Sequence, residues 1–132
     1  MDGLGKATAI EKGDEKMASF MHCGDIDGLA VKVPGNKWKA GASLVAHTDS
    51  HNAIPSATIT GNWNGGFTGS SQCVTGSSGI GKISTPAISN SQPSVTFTIS
   101  DMNYFGLYPY VPGDNHDPDG DSNGTAITIN KP

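Results

Sequence analysis

The run Asp117-Pro118-Asp119-Gly120-Asp121-Ser122-Asn123-Gly124 sets carboxylates at alternate positions among turn-forming residues. Oxygen ligands spaced in this way can converge from one curled loop on a hard cation such as calcium. From Asp119 the order Asp-x-Asp-x-Asn-Gly matches the opening half of an EF-hand-type loop. Asn130 stands where the closing glutamate is due, so a closing ligand has to come from elsewhere, from Asp114 or a backbone carbonyl. The candidate calcium ligands are therefore Asp117, Asp119, Asp121 and Asn123. Carboxylates this close repel unless something neutralises them. The same letters also compose a solvated turn. Asp25-Ile26-Asp27-Gly28 is a shorter version of the motif, a second metal position or, more simply, a plain turn.

Other reactive residue types carry weaker patterns. His47 and His51 have the i, i+4 spacing of a helical zinc pair, but they fall on a strand running into a turn, where that spacing is not expected to bring the rings together. Asp49, Ser50 and His51 supply the letters of a nucleophilic triad, yet neighbours on an extended chain point apart and no elbow motif is present, so no catalysis is expected. Cys23 and Cys73 enclose a loop of about 50 residues, and a bridge between them would add about 4 kcal/mol by loop closure. Two separate buried thiols fit the sequence equally well. Tyr104, Tyr108 and Tyr110 share a parity opposite Phe105 and Leu107, which are read as inward. They form either an exposed stripe for a sugar face or a protein contact, or the finish of a core covered on both sides, the preferred alternative.

The elements that position these residues are strands. Trp38, Ala40, Ala42, Leu44 and Ala46 share one parity, against Lys37, Lys39, Ser43 and His47 on the other. Ala57, Ile59, Gly61 and Trp63 repeat the pattern, as do Val95, Phe97 and Ile99, and finally Ile127 and Ile129. Period-two alternation of this kind marks half-buried strands. Ser19–Cys23 and Leu29–Val33 read as short strands separated by a turn at Gly24–Gly28. Ser71–Thr75 and Ile80–Thr85 read as a hairpin pair, and Tyr104–Val111 as an alternating segment. The pattern predicts an all-β, antiparallel Ig-like Greek-key β-sandwich of seven to nine strands over residues 20–132, preceded by a linker over residues 1–19.

Length and composition agree with one turn-rich domain. Hydrophobic residues make up 35% and charged residues 15% of the 132, with a net charge of −4. The eight Lys and Arg residues are scattered, too few to neutralise a row of phosphates, so no nucleic-acid partner is expected. No apolar run approaches the ~20 residues that span a bilayer as a helix. No apolar stretch follows Met1–Lys6, so a secreted protein of this sequence is expected to be a mature fragment or part of a longer precursor.

Val45-Ala46-His47-Thr48-Asp49-Ser50-His51-Asn52-Ala53-Ile54-Pro55-Ser56-Ala57-Thr58-Ile59 resembles the pattern shared by bacterial Ig-like domains of the invasin/intimin type, and the Thr75–Ile83 segment is similar to the one that follows it there. Residues 20–132 look most like the Ig-like domains at the C-terminal end of secreted bacterial proteins such as subtilisin-like proteases. Met21-His22-Cys23-Gly24-Asp25-Ile26-Asp27-Gly28 and Asn115-His116-Asp117-Pro118-Asp119-Gly120-Asp121-Ser122-Asn123-Gly124-Thr125 carry that resemblance. In such domains a cysteine pair tends to bracket the short glycine hairpin. Here Cys73 holds the first place and Gly81 the second, leaving Cys23 as the other thiol. The resemblance implies a non-catalytic secreted or cell-surface module for spacing, stability or adhesion, working beside a parent enzyme domain or another protein partner. Two alternatives are a subunit of an extracellular filament, contacting like subunits, and a carbohydrate-binding module using the tyrosines.

Overall fold

The computed structural model describes residues 19–132. All but the last residue of the expected 1–19 linker lies outside them. Among the described residues there are eight strands in two antiparallel sheets and no α-helix. The first sheet is ordered β1 (Met21–Val33), β2 (Lys37–Thr48), β5 (Ile80–Ser84), with the two-residue β6 (Ile88–Ser89) pairing the start of β2. The second is ordered β4 (Gly69–Val74), β3 (Thr58–Gly65), β7 (Ser94–Asn103), β8 (Ala126–Asn130). The chain changes sheet after β2, after β4 and after β6, which is the Greek-key wiring of an Ig-like sandwich.

The alternating strands bury the faces their parity predicts. Trp38, Ala40, Ala42, Leu44 and Ala46 of β2 meet Ile59 and Trp63 of β3, Val95, Phe97 and Ile99 of β7, and Ile127 and Ile129 of β8 in one core. Trp63 and Phe97 pack at 4.9 Å between ring centroids. Both buried indoles keep a partner, Trp63 donating to Ser71 Oγ at 2.9 Å and Trp38 to the Gln92 carbonyl at 3.2 Å. Each large side chain buried in this way contributes about 1.5–3 kcal/mol.

Three local readings give way to tertiary pairing. The expected break at Gly24–Gly28 is instead the middle of one 13-residue strand, β1. Its turn-forming letters are overridden because Ile26 pairs with Leu44 and Gly28 with Ala42, the register slipping once between Cys23 and Asp25. The expected Ser71–Thr75/Ile80–Thr85 hairpin does not form: β4 pairs with β3 and β5 with β2, in opposite sheets. The turn between them reverses the chain as its glycines suggest, but Thr75, bonded to Ala57 through both N–H and Oγ1, anchors it to the other strand partner. Tyr104–Val111 is no alternating strand either. Phe105 and Gly106 adopt left-handed backbone (φ 52° and 69°), which turns Phe105 and Leu107 outward, 71% and 61% exposed. Tyr104, Tyr108 and Tyr110 are half-buried against the core, the first two stacked at 5.2 Å.

Cys23 and Cys73 are free thiols rather than a bridge. Cys73, opposite Ile59 on β4, faces Gly81 of β5 across the sandwich. A Cβ at Gly81 would stand 3.4 Å from Cys73 Cβ, close to the spacing of a disulfide. Gly81→Cys is expected to form a bridge to Cys73 under oxidising conditions and to raise stability by about 2.5 kcal/mol for so short a loop. The check is titratable thiols and melting temperature with and without reductant; a variant that keeps all its thiols titratable contradicts this placement.

Candidate metal centres at the first strand

The start of β1 and the loop before β8 are sewn together. Met21 N–H donates to the Pro109 carbonyl and Val111 N–H to the Met21 carbonyl, both at 2.9 Å, so residues 109–111 run parallel beside the strand. Asn115 then clamps the two: its Oδ1 accepts from Cys23 N–H at 2.7 Å, and its Nδ2 donates to Tyr110 Oη at 2.7 Å and Thr125 Oγ1 at 2.9 Å. His116 N–H closes the contact on the Cys23 carbonyl at 3.1 Å. Two groups of side chains converge along this seam among the described residues.

The first contains all four histidines of the chain. His22 and His47 are register partners on β1 and β2. His51 N–H bonds back to the Thr48 carbonyl at 2.8 Å and its φ of 65° folds the ring over the strand end, 5.2 Å from both His22 and His116. The expectation that His47 and His51 stay apart is therefore corrected: their rings are 5.9 Å apart because a tight turn, not an extended strand, joins them. One nitrogen from each ring lies within 4.8 Å of one from every other. Gly24 makes room for this, since a Cβ there would stand 2.1 Å from His47 Nδ1. His22 is only 3% exposed. Its Nε2 and His47 Nδ1 are buried without a hydrogen-bond partner. Burial, then the neighbouring imidazoles, lowers the pKa of both, which favours the neutral imidazole.

The second group joins Asp25 and Asp27 of β1 to Asp119 and Asp121 of the loop, again with one oxygen of each within 4.8 Å of the rest. The two acidic stretches thus gather into one cluster rather than two, with Asp25 and Asp27 at the place where Asp114 or a carbonyl was expected to close the set. Asp117 shapes the loop, accepting from Asp119 N–H at 3.3 Å, Gly120 N–H at 3.2 Å and the Ser122 hydroxyl. Asn123, read from the sequence as a candidate ligand, caps the start of β8: its Oδ1 accepts from the N–H groups of Thr125 at 2.9 Å and Ala126 at 2.7 Å. Asp25 Oδ1 is buried and unpartnered. Burial, then the neighbouring carboxylates, pushes Asp25 and Asp121 up to about 7. Burial acts the same way on Asp117, but hydrogen bonds from Asp119, Ser122, Asp121 and Asp25 outweigh it and hold that carboxyl below its usual range. Cys23 stays out of both centres. Its thiol donates to the Asp25 carbonyl at 3.2 Å, and burial raises its pKa to about 11.

A signal for this arrangement lies in the sequence. His22, Asp25 and Asp27 repeat the spacing of His116, Asp119 and Asp121, a His-x-x-Asp-x-Asp string present twice. Side by side, the two strings deliver imidazoles to one centre and carboxylates to the other. The molecule belongs to the class of all-β sandwiches, with two clusters of side chains that could hold a cation gathered at one edge. Comparison with protein-family models, with curated proteins and with solved structures returns no match.

Two predictions follow from the geometry. Asn115→Ala strands the Cys23 N–H and is expected to cost about 2–3 kcal/mol, with hydrogen exchange accelerating first in residues 109–125. The carboxylates give a pH signature. Asp25 and Asp121 keep their protons in the folded state up to about pH 7 but lose them near 4 when unfolded, so the stability they confer is present at low pH and lost as pH rises through 7. In calcium-free buffer, Asp121→Asn is expected to raise the melting temperature most at pH 8, less at pH 5, and to leave it nearly unchanged at pH 3. The lowered histidine pKa values act in the opposite sense, but they are common to both proteins and cancel in the difference.

Proposed function

We propose that this is a non-catalytic extracellular accessory or surface module whose sandwich is stapled by calcium held between the first strand and the C-terminal loop. The observation that carries the reading is Asp25 Oδ1, a buried carboxylate oxygen with no partner, converging with the carboxylates of Asp27, Asp119 and Asp121. An all-oxygen, strongly negative set of this kind suits a hard cation, with backbone carbonyls or water completing the shell. The action is mechanical. An ion that binds only the folded state adds about 2.7 kcal/mol at a concentration a hundred times its dissociation constant. It joins strand and loop far apart in the chain, which stiffens a spacer. The secreted or cell-surface setting rests on the resemblance to Ig-like domains of secreted bacterial proteins, with which the sandwich fold is in keeping.

One observation favours assembly with like subunits as a second reading: Phe105 and Leu107 stand out from the turn after β7, 71% and 61% exposed. The half-buried packing of Tyr104, Tyr108 and Tyr110 weighs against the polysaccharide reading. Calcium added to metal-stripped protein is expected to raise the melting temperature, and Asp27→Asn to abolish most of the rise. Asp121→Asn, stabilising without calcium at pH 8, becomes destabilising relative to the parent once calcium saturates it. An unchanged calorimetric profile on calcium addition sinks the claim.

A further inference from the structure

We propose that His22, His47, His51 and His116 form a binding site for one late first-row divalent transition-metal ion, of the class of zinc, copper, nickel or cobalt. The inference is independent of the calcium reading. Four imidazoles from four separate points of the chain share one spot at the end of the first sheet. The mutual limit of 4.8 Å between their nitrogens lies close to what a metal requires. Metal–nitrogen bonds of about 2.0–2.1 Å place tetrahedral ligands about 3.4 Å apart and opposite ligands of a square about 4.1 Å apart. Movements of at most about an ångström close the gap.

The buried atoms point to the ligand. His22 is 97% withdrawn from solvent, yet its Nε2 has no hydrogen-bond partner, and His47 Nδ1 is in the same condition. Buried polar atoms are ordinarily satisfied, and two on rings of the same cluster call for a partner of another kind. His116 is oriented from behind through the contact of its Nδ1 with the Asp114 carbonyl at 3.2 Å, which leaves Nε2 for the metal. Gly24 supports the assignment from below, because any side chain there would displace the His47 ring. An all-imidazole set selects borderline late transition metals and is a poor host for calcium or magnesium, so the two centres along the seam sort ions by hardness. His51, the exposed member, is the side from which the ion enters.

The test is isothermal titration of zinc into the metal-stripped full chain, with calcium in excess to saturate the carboxylates. The expected result is one zinc per chain with a dissociation constant of about 1 µM or below. Cobalt is expected to develop visible absorption bands that zinc then bleaches. His51→Asn keeps a residue that tolerates left-handed backbone and is expected to weaken zinc more than about tenfold with an unchanged circular-dichroism spectrum. His116→Ala should do the same, and Asp27→Asn should leave zinc binding untouched while removing the calcium response. Absence of zinc and cobalt binding overturns the proposal. So does binding that survives both histidine substitutions, which would mark the metal as adventitious.

Discussion

The backbone pairing of Met21–Cys23 with Pro109–His116 is the contact on which the chemistry of this chain depends. An edge strand carries unpaired N–H and C=O groups along its free side. Here those of Met21 and Cys23 are taken up by Pro109, Val111, Asn115 and His116. The Asn115 amide adds Tyr110 and Thr125 to the same junction, so the loop before the last strand hangs from the first strand rather than lying free over the surface. Without that pairing neither centre exists, since each takes ligands from both sides of the seam.

Along the seam, like groups are pressed together at a cost. Four carboxylates that cannot all ionise comfortably, and four imidazoles of which two have unpaired buried nitrogens, are destabilising by themselves. The sandwich core offsets this through Trp38, Trp63, Phe97 and the aliphatic residues packed on them. Local instability held in place by a well-packed scaffold is characteristic of sites that await a ligand. The Cys23 thiol, kept protonated between the two groups, separates the nitrogen-rich end from the oxygen-rich one without joining either.

The strands that alternate strictly were legible from side-chain pattern alone: the buried sets of β2, β3, β7 and β8 follow parity from Trp38 to Ile129, broken only at Met102, which is buried beyond the point where the β3–β7 register slips. Where the pattern misled, a longer-range partner outweighed a local preference. Gly24 to Gly28 carries turn letters, but the facing β2 supplies a ladder broken only at Gly24 and the stretch stays extended. The Gly76–Gly79 turn reverses the chain, yet nothing local says that the strands on either side belong to different sheets. The acidic loop was visible as a candidate cation motif, but half of the carboxylates it gathers with lie about 90 residues away on β1. The imidazole centre was missed because i, i+4 spacing was judged on an extended chain, when a left-handed His51 bends it.

Composition and alternation by themselves determined that this chain makes a turn-rich antiparallel sandwich, and which faces of its regular strands are buried, because side-chain parity on a strand is a local property. They also marked Asp119 and Asp121 as oxygen donors. Only the tertiary structure decided which strands share a sheet, and that the two His-x-x-Asp-x-Asp strings lie side by side. Convergence of ligands is a relation between segments remote in sequence, set by hydrogen-bonded pairing and by a core that forms only when the whole domain closes.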